Sequence, residues 1–264
     1  MNNNLMHPDN IYKIEGNLYG QRGFKGVDFE DRYIQLRRKE NRVYEINAVR
    51  KLPLVSKNSP HYSEWKIRQK SIQRVVDYLT KKKKALTILE VGCGNGWLSN
   101  VLSSILDSNT IGLDVNLFEL TQASQAFGEV SNLSFLHADL FDEIFVGRSF
   151  DVIILAASIQ YFPDLTKLFN RLFELLTDEG EIHILDSPIY KSSQIGSAKE
   201  RSVECFTALG SPEMKNYYFH HSFDILDKYN FEIKYNPQSI HNRILRKYIY
   251  RNLSPFPWIK ITNS

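Results

Sequence analysis

Gly92, Gly94 and Gly96 stand in the stretch "ILEVGCGNGWLS" (residues 88–99), three glycines in five residues after an apolar run that carries Glu90. Glycine at this spacing allows a tight turn and lets a ligand lie against the backbone, because no Cβ stands in the way. A dinucleotide site shows G-x-G-x-x-G, with a diphosphate over the following helix N-terminus. Counted from Gly92 the spacing here is G-x-G-x-G, and Trp97 fills the position where that pattern wants its last small residue. No lysine followed by serine or threonine comes next, so the loop is not a phosphate loop of the ATPase type. Asp114 closes "TIGLDV", 18 residues after Gly96, where a carboxylate can accept both hydroxyls of a ribose. Asp139 follows "LSFLHA", where a carboxylate can accept from the exocyclic amine of adenine. Glycine turn, ribose acid and adenine acid, in that order, outline an adenosine site without a diphosphate.

The elements that must position these residues are legible from hydrophobic pattern. Apolar runs at 86–91, 110–115, 133–138, 150–157 and 181–187 alternate with helical segments after Gly96, from Asn116 to about Phe127, and from about Leu165 to Leu176. Continuous apolar strands alternating with helices predict a parallel sheet covered on both faces. A helix from Ser63, read as its N-cap, to about Thr80 precedes them, with Trp65, Ile72, Val75, Val76 and Leu79 as its apolar stripe. Upstream, "DRYIQLRRKENRVYEI" (31–46) alternates in places and predicts a hairpin or small appendage. Downstream, 188–220 breaks the rhythm. A helix is expected over 221–229, and "FEIKY" and "PFPWIKI" are expected to pair at the sheet edge.

"LEVGCGNG", "GLDV", "HADLFD", "FDVIILAASIQYF" and "LTDEGEIHILD", taken together and in order, resemble the class I S-adenosylmethionine-dependent methyltransferases over residues 85–187. The resemblance implies an α/β fold: a Rossmann-like, doubly wound, seven-stranded sheet whose last strand is antiparallel. It divides the chain into an N-terminal extension (1–60) and a methyltransferase domain (61–264) with a helical insertion after the fifth strand (188–220). By resemblance, Glu90, Gly92, Gly94 and Gly96 shape the pocket for the methionine part and the ribose, and Asp114 binds the ribose hydroxyls. Asp139 and the backbone of Leu140 hold adenine, and Ala156 and Ser158 line the methionine side and face the acceptor. Arg68, on the preceding helix, is placed to meet a cofactor carboxylate through a charge-assisted bond. The implied cofactor is S-adenosylmethionine, with S-adenosylhomocysteine as its product, and no metal.

Methyl transfer is an in-line displacement, so the protein's task is chiefly positioning. A base is needed only where the nucleophile does not lose its proton unaided. The candidates are Asp186 and Tyr190 after the fifth strand, and His220 and His221 beyond the insertion. Cys93 lies inside the glycine loop, where a small residue is needed in any case. The run "LAASIQYF" lacks the Asn-Pro-Pro-Tyr type signature of amino-group methylation on bases or glutamine. It points instead to O-, N- or C-methylation of a small-molecule acceptor.

Bulk properties bound the alternatives. Hydrophobic residues make up 42% of 264, enough for a sizeable core. The two cysteines, Cys93 and Cys205, imply neither a disulfide framework nor a zinc site. The polar start "MNNNLMHPDN" lacks the apolar core of a signal peptide, and the longest apolar run, 152–157, is too short to span a bilayer. A cytoplasmic protein is expected. The net charge of +3 hides an acidic middle. Residues 85–190 carry 15 Asp/Glu against 3 Lys/Arg, whereas residues 1–84 carry 19 Lys/Arg against 9 Asp/Glu and residues 191–264 carry 11 against 6. The flanks either neutralise the middle or face an anionic partner. With the interleaved aromatics of "RILRKYIYR" (243–251), they make an RNA or tRNA methyltransferase the alternative. A non-catalytic, cofactor-binding regulatory module is a third reading.

Overall fold

In a computed structural model of the protein, residues 5–147, 149–245 and 252–263 are described. Most of the basic and aromatic segment 243–251 lies outside them, as do the first four residues of the polar N-terminus. Strands β1 (Ile11–Glu15) and β2 (Leu18–Gln21) come first, then helices α1 (Phe29–Lys39), α2 (Ile46–Val49) and α3 (Tyr62–Thr80). The alternating region contributes β3 (Leu86–Val91), α4 (Trp97–Ser103), β4 (Ser108–Asp114), α5 (Leu117–Phe127), β5 (Leu133–His137), β6 (Phe150–Ala156), α6 (Leu165–Leu175) and β7 (Leu176–Leu185). After it follow β8 (Ile189–Tyr190), α7 (Ile195–Ala208), β9 (His221–Ser222), β10 (Asn230–Tyr235), α8 (Ile240–Ile244) and β11 (Trp258–Thr262).

The main sheet runs β1-β2-β5-β4-β3-β6-β7-β11-β10. Strands β2, β5, β4, β3, β6 and β7 are mutually parallel. β11 lies antiparallel between β7 and β10. Strand β3 shows why the sheet is covered on both sides. Leu86 and Ile88 join one buried cluster with Trp65, Ile72, Val75 and Leu79 of α3 and Leu98 and Leu102 of α4. Leu89 and Val91 join the cluster on the other face with Leu165, Leu168, Phe169 and Leu172 of α6. Burying each such side chain stabilises the fold by about 1.5–3 kcal/mol.

Among the described residues the expected seven-stranded sheet has nine strands. The two extra ones come from residues 11–21, so the first 60 residues do not form a separate appendage. The β1–β2 hairpin turns at Gly16, which has φ +48°, and β2 pairs in parallel with β5 (Leu18 with Phe135). Asn17, buried at the turn, donates to the carbonyls of Phe127 and Leu133 and fixes the hairpin to the sheet. The hairpin expected within 31–46 is instead helix α1, followed by a loop. Its run of arginine, glutamine, leucine and lysine favours helix, and Ile34 and Leu36 are buried. Helix α3 begins one residue before Ser63, after His61, and Ser63 does not cap it. The helix expected over 221–229 is β9 followed by a 3-10 turn over 223–228. β8 and β9 pair with each other, Ile189 with His221, and close the stem of the insertion.

Candidate active site

β3, β4, β5, β6 and β7 all end on one side of the sheet. In open α/β sheets ligands bind there, beside the point where the strand order reverses. Here β4 lies on one side of β3 and β6 on the other. A two-lobed cleft opens at these ends. Gly92, Gly94, Ala157, Tyr33 and Tyr161 border both lobes.

The glycine loop forms the floor. Gly92, Gly94 and Gly96 have φ of +77°, +52° and +73°. A Cβ on Gly92 would meet that of Ser158 at 2.6 Å, and one on Gly96 would meet the Phe135 ring at 2.5 Å. One on Gly94 would come 3.1 Å from Oε2 of Glu119. Ser158 sits against the loop and donates to the Val91 carbonyl (2.8 Å). Ala157 and Asp186, the residues after β6 and β7, also adopt positive φ (+55° and +46°). Such backbone strain collects where side chains are aimed at a site.

One lobe is apolar. Leu113, Val115, Ala138, Leu140 and Phe162 line it, with Asp114 and Asp139 at its edge. The Asp114 carboxylate accepts from Gly94 N–H (2.7 Å) and Asn116 N–H (2.8 Å). Burial pushes its pKa up against those backbone bonds. Asp139 accepts from Phe141 N–H (2.9 Å), and its own N–H donates to Gln21 of the hairpin (3.1 Å).

The other lobe is polar and bordered by Arg37, Arg42, Arg68, Glu90, Glu119 and Asp186. Burial raises Glu90 to about 8, although Ser99 Oγ donates to it. Burial likewise raises Glu119 to about 7, with Arg37 and Arg68 pulling it down and Asp114 pushing it up. Arg68 stacks on Trp65 (5.4 Å) and pairs with Glu64 (3.1 Å), whose other contact is Arg42. Asp186 accepts from Ser71 (2.7 Å) and Ser254 (3.1 Å). It borders the cleft, but two structural hydroxyls engage its carboxylate.

Ten residues expected around a cofactor are brought near this cleft: Gly92, Gly94, Glu90, Asp114, Asp139, Leu140, Ala156, Ser158 and Arg68 border it, while Gly96 starts α4 beneath the loop. Three of the four base candidates are not. Tyr190 lies in a groove with Pro188, Gln194 and Arg201, and His220 and His221 lie in a pocket with Lys199 and Lys215. The reason is the β8–β9 pairing, which holds Tyr190 and His221 at the stem of the insertion.

Sequence reasoning missed the outer wall. Phe29, Tyr33 and Arg37 of α1 face the cleft, and their spacing of four residues is the signal. Tyr33 packs edge-on to Tyr161 (5.6 Å), and Phe29 packs on Tyr161 (5.3 Å) and Tyr217 (5.5 Å). Burial raises both tyrosine hydroxyls, so they stay neutral.

The sequence model of a family described as a methyltransferase domain matches residues 82–246, more than half of the chain. The chain belongs to this methyltransferase-domain family. Among curated relatives, a malonyl-[acyl-carrier protein] O-methyltransferase of Acetivibrio thermocellus is 30% identical over 128 residues, covering 47% of this chain and 44% of the relative. A sterol 24-C-methyltransferase of Kluyveromyces lactis is 25% identical over 169 residues, covering 62% and 46%. The chain thus spans under half the length of these methyltransferases. Among solved structures, magnesium protoporphyrin IX methyltransferase of Synechocystis, with bound S-adenosylhomocysteine, superposes with a TM-score of 0.55. That match covers 88% of this chain and 94% of the other at 16% identity. Geranyl diphosphate C-methyltransferase of Streptomyces coelicolor gives 0.52 at 13% identity over 87% and 96%. The methyltransferase fold, including the antiparallel strand between β7 and β10, is therefore the one expected from sequence.

Proposed function

We propose that this chain transfers a methyl group from S-adenosylmethionine to a small-molecule acceptor. One observation carries the reading: the glycine floor, Asp114 and the apolar lobe meet in a single cleft at the strand ends. Asp114 accepts from the backbone N–H groups of Gly94 and Asn116, with a further backbone bond from Val115, and because a carboxylate offers about four lone-pair sites, acceptor capacity remains at the edge of that lobe. Cβ atoms on Gly92 and Gly96 would strike Ser158 and the Phe135 ring, so the loop packs this tightly beneath the cleft only as glycine. The chain fits the cofactor on these grounds.

When bound, the cofactor supplies an electrophilic methyl on a sulfonium. Asp114 holds the ribose, and the lobe of Leu113, Val115, Leu140 and Phe162, with Asp139, takes the adenine. Arg68 and the glycine loop receive the amino-acid end. Tyr33 and Tyr161, shared by both lobes, keep water from the reacting atoms and orient the acceptor between them. Glu119, half ionised near neutrality, is the cleft carboxylate best matched to hold a proton leaving an acceptor.

Calorimetric titration with S-adenosylhomocysteine, with NAD as comparison, tests the cofactor. Micromolar binding of the first and none of the second is expected, and binding of NAD alone would overturn the reading. A tritiated methyl-donor assay over carboxylate, phenol, amine and enolate acceptors tests catalysis. Cofactor binding without transfer to any of them would overturn the small-molecule reading and leave the RNA methyltransferase and the regulatory module.

A further inference from the structure

The insertion after β7 lines an open second pocket, apart from the glycine loop. Lys199 and Ser202 of α7 line it, with Lys215, Asn216, His220 and His221 of the returning chain. None of the described lining residues is acidic, and neither lysine has an ion-pair partner among the described residues. Ser202 Oγ and His220 Nε2 lie 2.8 Å apart, which pins the imidazole. Burial lowers the His220 pKa first, and the positive fields of Lys199 and Arg201 lower it further. His221 Nε2 is buried without a hydrogen-bond partner. The β8–β9 pairing and the bond from Phe219 N–H to the Gln160 carbonyl (2.7 Å) anchor the returning chain, so the pocket is built on fixed backbone.

We infer that this pocket binds a phosphoryl group. Lysines, imidazoles, a serine hydroxyl and an amide approaching from two segments suit a compact polyanion with several acceptor oxygens. Among the described residues no arginine fork lines the pocket to select a planar carboxylate. The pocket borders the cleft's outer wall, because Tyr218 lines it and packs edge-on to Tyr161 (5.9 Å). The phosphoryl group is either the end of an organic phosphate that reaches toward the cleft or free inorganic phosphate. The site does not depend on which cofactor fills the glycine loop.

The test is titration of the full chain with inorganic phosphate and with phenyl phosphate at fixed ionic strength, by calorimetry and phosphorus NMR. Saturable binding is expected. It should weaken at least about tenfold in Lys199→Gln/Lys215→Gln, the scale for losing two charge-assisted contacts. Val203→Asp adds a carboxylate at the pocket wall, on an exposed helix face, and should abolish binding without unfolding the chain. S-adenosylhomocysteine affinity should be unchanged in both variants. Tighter binding of phenyl phosphate assigns the site to an organic phosphate, and equal binding assigns it to the free anion. No saturation by either ligand up to tens of millimolar, or full affinity in both folded variants, would overturn the proposal.

Discussion

Asp114 holds two parts of the cleft together. Its carboxylate already ties the glycine loop, through Gly94, to the start of α5, through Asn116. Asp114→Asn keeps the shape and removes the charge. It should weaken S-adenosylhomocysteine binding by about 1.5–3 kcal/mol, the range for hydrogen bonds to a charged group, as read by calorimetry. Glu119 gives a pH prediction. Its pKa of about 7 reflects burial first, then opposing fields from Arg37 and Arg68 on one side and Asp114 on the other. A sulfonium bound nearby favours the ionised carboxylate, whereas the neutral thioether of S-adenosylhomocysteine does not. The affinity ratio of S-adenosylmethionine to S-adenosylhomocysteine should therefore rise as pH increases through about 7. Glu119→Gln should flatten that rise, and parallel titrations across the range check it. A buried Glu at this position was not legible from sequence, because its burial depends on α1 lying across the cleft.

At the scale of elements, α1 makes the cleft's outer wall and α3 buttresses the sheet. Tyr33→Ala removes a ring that borders both lobes and packs on Phe29 and Tyr161. It should weaken S-adenosylhomocysteine binding by about 1–2 kcal/mol, on the scale of apolar burial and ring packing, while the melting temperature falls little. Helix α3 is tied to β7 at Glu181, which accepts from Tyr78 (2.8 Å) and pairs with Lys82 (3.0 Å). Burial pushes Glu181 up, but contacts with His183, Lys82 and Tyr78 outweigh it and hold the carboxyl at about 2. The folded-state pKa is thus below the ordinary value of 4.5. The stabilisation is present above that value and is lost as pH falls toward 2. Urea unfolding should show a steep loss of stability on this acid limb, and Glu181→Gln should make it shallower. The strands and helices of residues 86–185 were legible because their signals are local: apolar runs, glycines and caps. The hairpin at 11–21 and the wall of α1 were not, because what identifies them is a partner more than 100 residues away, as Leu18 with Phe135.

For the whole molecule, the acidic middle is partly neutralised by its flanks. Lys82 and Lys260 reach Glu181, and Lys84 reaches Asp151. Among the described residues Lys199 and Lys215 of the insertion have no ion-pair partner, in keeping with the phosphoryl site proposed there. No helix among the described residues is long and apolar enough to cross a membrane. Because the cleft proposed to hold the cofactor draws on β3 to β7 and on α1, occupying it should stabilise the fold as a unit. At a free concentration of about 100 times the dissociation constant, S-adenosylhomocysteine should add about 2.7 kcal/mol. That corresponds to a melting temperature roughly 5–10 °C higher, and scanning fluorimetry with NAD as control checks it.

The sequence by itself determined the parallel sheet, its central strands in chain order, and the glycines and acids that stand at their ends. These follow from hydrophobic period and from glycines and acids at strand ends, and a strand end carries its residues to the same side of the sheet wherever the rest of the chain goes. The tertiary structure alone decided what closes the cleft. Phe29, Tyr33 and Arg37 join it only because α1 packs across the strand ends, and Tyr190, His220 and His221 leave it because two short strands pair at the stem of the insertion. Both are contacts between distant segments, and composition and spacing carry no record of which distant segments meet.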